Sequence, residues 1–175
     1  MIDYAIILCF DSDTESKFNR IIESIAGRGI SSYMTDIKIP PHITLSCFRT
    51  ENIETIVNKL DGCVPGFKPG NITWASLGAF VPNVLFAAPV LNEQLLNACI
   101  NINRLIKPFS TAGDNGHYLP YQWVPHTALA VKLSNGELKK AFDIVAEQFV
   151  PINGKSNRIL IAECNPFKAI KIWNL

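Results

Sequence analysis

Two of the chain's three histidines, His42 and His126, each follow a proline and open an apolar, strand-like run: HITLSCF from His42 and HTALAVKL from His126. Side chains alternate faces along a strand. His42, Thr44 and Ser46 are therefore expected on one face, with Ile43 and Leu45 on the other. In the second run His126, Ala128 and Ala130 share a face, opposite Thr127, Leu129 and Val131. An imidazole titrates near neutrality, at a pKa of about 6.5. Of two facing imidazoles, one can take a proton from water while the other gives one to a leaving oxygen. A hydroxyl two residues along the strand can donate to a nonbridging phosphate oxygen as charge develops there. Together these groups suit phosphodiester chemistry without a metal. A single histidine at a strand start is usually structural; two in matching contexts point to a site. His117 lies in a Gly/Asn/Asp-rich loop and is expected to do no more than line the mouth of a cleft.

The surrounding pattern supplies elements to position such a pair. Ile2–Phe10 is a continuous apolar run, the mark of a buried strand. Residues 11–14 offer helix-capping side chains, Phe18, Ile21, Ile22 and Ile25 recur at helical spacing, and Gly27-Arg28-Gly29 ends that helix. Lys38–Pro41 is an extended approach to His42. Glu51–Leu60 is predicted helical and 62–70 a loop. The order then restarts: strands over Asn71–Phe80 and Val84–Val90, a helix over Asn92–Lys107, a long polar loop over Pro108–Gln122, and a strand over Trp123–Leu133. A helix capped by Ser134 or Asn135 follows, then strands over Arg158–Cys164 and Lys168–Trp173. The recurrence of β-α-β-α-β with one Pro-His strand in each half implies an internal duplication. The expectation is one mixed α+β domain over 1–175, with lobes of about 1–80 and 81–175 that exchange strands.

Composition bounds the rest. Hydrophobic residues make up 48% of the 175 and charged ones 18%, enough for a core and too apolar for disorder. No apolar run approaches the roughly 20 residues of a membrane span, and residues 1–13 lack a basic signal-peptide start, so a cytoplasmic protein is expected. The five cysteines form no CxxC pair, and Cys9, Cys47 and Cys164 fall in strand-like runs as buried free thiols. A net charge of +1 argues against a grip on long nucleic acid but leaves a nucleotide or an RNA end as partner. There is no phosphate-cradling glycine loop, no nucleophile elbow and no metal-binding histidine spacing, so neither a cofactor nor a metal is expected. Nothing indicates an obligate protein partner, and a monomer is expected.

The motifs HITL (His42–Leu45) and PHTALA (Pro125–Ala130), within this duplicated order, resemble those of the 2H phosphoesterase superfamily, the 2′-5′ RNA ligase-like proteins. The resemblance extends over essentially the whole chain, including Gly78–Val90. It implies two pseudo-symmetric lobes, with antiparallel sheets lining a central cleft and helices outside. It also implies cleavage of 2′,3′-cyclic or 2′-5′ phosphodiesters of nucleotides or RNA ends. His42 and His126 would be the acid and base, and Thr44 a phosphate ligand. The second motif departs from the pattern, since Ala128 stands where a hydroxyl belongs and Thr127 comes one residue early. A lost hydrogen bond to a charged group costs about 1.5–3 kcal/mol, or roughly 10- to 150-fold in rate. Tyr118, Tyr121, Lys132 and Lys168 are candidate replacement donors. Thr127, Tyr118, Tyr121, Trp123 and Lys168 are candidate substrate-binding residues, the aromatic ones as platforms for a base. Trp74, Phe80 and Phe86 are expected in the core, and Lys155, Arg158, Lys168 and Lys171 beside the cleft or on a solvated face. A nucleotide or RNA-end binder that no longer catalyses is the alternative reading, favoured by Ala128. A metal hydrolase is a weaker third.

Overall fold

The computed structural model describes residues 2–175 and arranges them as one eight-stranded antiparallel sheet with five helices. β1 (Asp3–Phe10) lies between β2 (His42–Arg49) and β7 (Ile152–Cys164). Both its faces are covered, which is why its sequence is apolar without alternation. Outside β2 runs the two-residue β5 (Thr111–Ala112). On the other side β3 (Gly70–Phe80) pairs with the start of β7, and β4 (Val84–Pro89) and β6 (Thr127–Ala130) complete the order. β8 (Phe167–Asn174) folds back on β7. β7 pairs with β3 through residues 152–156 and with β1 through 156–163, so the sheets expected on the two sides of the cleft are continuous.

Four helices cover one face. α1 (Ser12–Gly27) packs on β6 and β7, α3 (Ile53–Cys63) on α4 (Glu93–Ile106), α4 on β2, and α5 (Asn135–Ala146) on α1 and β4. Their starts are capped: Asp11 accepts from the Thr14 N–H at 2.9 Å, Asn92 from that of Leu95 at 2.8 Å, and Ser134 and Glu137 form a reciprocal capping box. The core between helices and sheet centres on Trp74, whose ring meets Phe10 and Phe18 edge-on, each at 4.9 Å. Among the described residues no helix is long and apolar enough to cross a membrane.

The structure corrects three expected elements. A short helix, α2 (Tyr33–Ile37), precedes the extended approach to His42; five residues carry too little periodicity to be read. The strand expected over Trp123–Leu133 reduces to Thr127–Ala130. Pro125 offers no N–H to a ladder, and β4 pairs only with 127, 128 and 130. The strand expected from Arg158 begins at Ile152, where β3 extends the pairing.

Candidate active site

β2 delivers the first histidine. His42 and Thr44 face away from the helices, opposite the buried Ile43 and Leu45. Ser46 does not join them. The β1–β2 register steps from Ile7↔Thr44 to Ile6↔Ser46, leaving Leu45 unpaired as a bulge. The extra residue turns Ser46 into the core, where its hydroxyl donates to Asn103 Oδ1 at 2.8 Å. Asn103 Nδ2 donates to the Leu45 carbonyl at 2.9 Å and to the Tyr118 carbonyl at 3.3 Å. It thus ties the bulge to the loop that carries Tyr118. Its signal in the sequence is a polar residue four positions after Cys99 and three before Ile106, on the apolar face of α4. Trp123 makes a second tie, its Nε1 donating to the Thr44 carbonyl at 2.9 Å.

The second histidine is held differently. His126 sits one residue before β6, and its ring is enclosed by Phe80 at 4.9 Å, Phe86 at 5.3 Å and Tyr118 at 6.2 Å. Phe86 lies directly over Gly78, where a Cβ would meet its ring at 2.4 Å, so only glycine admits this placement. Phe80, expected in the core, is 37% exposed and forms part of the cavity wall, because it ends β3 at the rim of the sheet.

Both rings share one device. His42 Nδ1 lies 2.7 Å from the Pro40 carbonyl and His126 Nδ1 2.8 Å from the Val124 carbonyl. A carbonyl only accepts, so each Nδ1 carries the proton and each Nε2 is left free. His42, Thr44, Tyr118, His126 and Ala128 line one cavity of about 790 Å³. Burial holds both imidazoles below their ordinary pKa. Charge on His126 further disfavours charge on His42, whereas the nearby Asp114 carboxylate favours it on His126. Asp114 reaches the cavity from a tight turn in which Asp114, Asn115 and Gly116 have φ of 43°, 52° and 79°. Desolvation first, then the Asp114 charge, pushes the Tyr118 phenol up to about 12.

Of the candidate binding residues, Tyr118 lines the cavity and four do not. Thr127 is fully buried, its hydroxyl accepting from Trp74 Nε1 at 3.0 Å, because strand alternation sends it to the face opposite Ala128. Tyr121 is 88% exposed and borders a separate hollow beside β2 and α4. Trp123 supports Thr44 from behind. Lys168 pairs with Glu163 across β7 and β8, outside the cavity. Lys132 sits at the rim, 4.1 Å over the Tyr33 ring. His117 lines the mouth as expected, 3.9 Å from Asp114. Cys9 is buried, while Cys47 and Cys164 are half-buried neighbours, with Cys164 in the cavity wall. Arg158 pairs with Glu15 and Lys171 with Asp61, so neither flanks the cleft. Among the described residues no group of three or more His, Cys, Asp or Glu is placed to hold a metal.

No family model and no curated protein sequence matches the chain. Solved structures do. Escherichia coli LigT, complexed with 3′-AMP, superposes with a TM-score of 0.59 at 11% identity over 99% of this chain and 98% of that one. Usb1 of Kluyveromyces marxianus gives 0.55 at 11% identity with the same coverage. A further phosphoesterase gives 0.52 at 13% identity, also over 99% and 98%. The chain shares its mixed α+β fold with these structures over its full length.

Proposed function

We propose that the chain is a metal-independent phosphodiesterase acting on 2′,3′-cyclic or 2′-5′ phosphodiesters, with one domain whose two lobes meet at the cavity. The observation that carries this reading is the matched pair of imidazoles, each fixed through Nδ1 to a backbone carbonyl, with both Nε2 atoms free at one cavity. Charge on His126 disfavours charge on His42, and Asp114 favours charge on His126, so of the two rings His126 takes up a proton first. His42 Nε2 then takes a proton from water as the water oxygen bonds to phosphorus. His126 Nε2–H gives its proton to the departing ribose oxygen as that P–O bond breaks. The products are a phosphomonoester and a free hydroxyl, and the proton now on His42 returns to His126 through solvent. Thr44 donates to a nonbridging oxygen, and Tyr118, kept a neutral phenol by its raised pKa, supplies the donor that Ala128 lacks. Nucleotide-bound neighbours on the same fold, LigT with 3′-AMP and Usb1 with uridine monophosphate, support a nucleotide as ligand.

The test is hydrolysis of nucleoside 2′,3′-cyclic monophosphates in strong chelator by wild type, His42→Ala and His126→Ala. Each variant should lose about 10²–10⁴-fold in kcat/KM. Turnover retained in either removes that histidine from the mechanism. Binding without any turnover by wild type replaces the enzyme with a nucleotide-binding module.

A further inference from the structure

Among the described residues that line the cavity there is no lysine or arginine. Asp114 is the sole carboxylate there, and only His42, His117 and His126 can become cationic. The chain's 16 Lys and Arg are not scarce, but several are engaged elsewhere. Arg158 is held by Glu15, Lys171 lies 2.7 Å from Asp61, and Arg49 lies 2.5 Å from Asp3. Lys132 reaches the rim only, where its ammonium rests on the Tyr33 ring. Beside that ring the wall is apolar, built from Met34, Ile37 and Ile39. A volume of about 790 Å³ falls within the ordinary range for small-ligand sites.

Proteins that hold a nucleic-acid strand set cations along its phosphates, and their affinity falls with salt as counterions are displaced. Among the described residues this cavity offers no fixed cation: imidazoles are its only groups able to carry positive charge, and Asp114 is its one carboxylate. The two imidazoles with Thr44 and Tyr118 can hold one phosphodiester, and any second phosphate is left without a partner. We infer that the site takes a small monoanionic phosphodiester with no further phosphate, such as a nucleoside cyclic phosphate, in preference to the end of an RNA strand. The inference specifies the substrate of the reaction proposed above and rests on it.

The experiment compares uridine 2′,3′-cyclic monophosphate with a tetranucleotide ending in the same cyclic phosphate. Both kcat/KM and equilibrium Kd are measured over a salt series. The mononucleotide should be preferred by about tenfold or more. Its log–log salt slope should stay shallower than the roughly −0.7 expected for each phosphate neutralised on a single strand. Equal or better use of the tetranucleotide, or a slope of about −1.4 or steeper, overturns the inference. If wild type hydrolyses neither probe, the phosphodiesterase reading falls, and the two Kd values still decide the charge question; failure to bind the mononucleotide counts against it. Gln122→Lys, which adds a cation to the wall, should narrow the preference and steepen the salt slope for the tetranucleotide. An unchanged ratio and slope in that variant would show that wall charge does not set the choice.

Discussion

His42 opens an eight-residue strand paired on both edges, by β1 and β5. His126 precedes a four-residue strand paired only by β4. The first ring therefore inherits its position from main-chain ladders, with Thr44 two residues along on the same face. The second depends on side chains: Phe80 and Phe86 around it, and Gly78 leaving space for Phe86. Yet each half fixes its ring by the same Nδ1–carbonyl bond two residues back. The shared element is the one that sets which nitrogen is free. The hydroxyl is what the two halves do not share, so its supply is where they should separate under mutation.

The largest effects should not separate them. Loss of either imidazole removes one end of the proton transfer, and the 10²–10⁴-fold losses expected of His42→Ala and His126→Ala should be of similar size. A loss confined to one would mean that the halves are unequal in chemistry and not only in support. Next come the phosphate donors. Thr44→Val and Tyr118→Phe should each lower kcat/KM by about 10- to 150-fold, the cost of one hydrogen bond to a charged group. Ala128→Thr places a hydroxyl on the cavity face of β6 and should restore much of the Tyr118→Phe loss. Full activity in Tyr118→Phe would show that the second half works without a donor, and failure of the rescue alone would locate Tyr118's role on the Thr44 side.

The face assignment of β6 is checked by a variant whose effect is on stability. Thr127→Val keeps the shape of the buried side chain but leaves the Trp74 indole N–H without its acceptor. It should lower unfolding stability by about 1–3 kcal/mol, read as a reduced denaturant midpoint, while kcat/KM is unchanged. A loss of activity at unaltered stability would turn Thr127 toward the substrate and break the contrast with Thr44.

The pair itself was legible because Pro-His strand starts repeat in one-residue detail, and a period of two sends Thr127 and Ala128 to opposite faces without any knowledge of tertiary structure. Ser46 was misplaced because a bulge at Leu45 is set by the register against β1, which a single strand's pattern does not contain. Asn103 and Asp114 were missed for a related reason. Asn103 matters through a bulge in another element, and Asp114 through a left-handed turn that folds a polar loop against the cavity. Tyr118 and Tyr121 belong to the same aromatic loop, and only the path of that loop separates a wall residue from an exposed one.

Asp114 also gives the finest distinction between the halves, since its carboxylate acts on His126, whereas the charge that acts on His42 is that of His126. With His42 as base and His126 as acid, the acid limb of a kcat/KM profile reports His42 and the alkaline limb reports His126. A carboxylate beside an imidazole favours its protonated form and raises its pKa. Asp114→Asn removes that support, so the His126 pKa falls further and the alkaline limb moves to lower pH. The acid limb should stay in place, because His42 is held down chiefly by burial. Movement of the acid limb instead would exchange the two roles, making His126 the base, and the shared tautomer would then serve the halves in the opposite order.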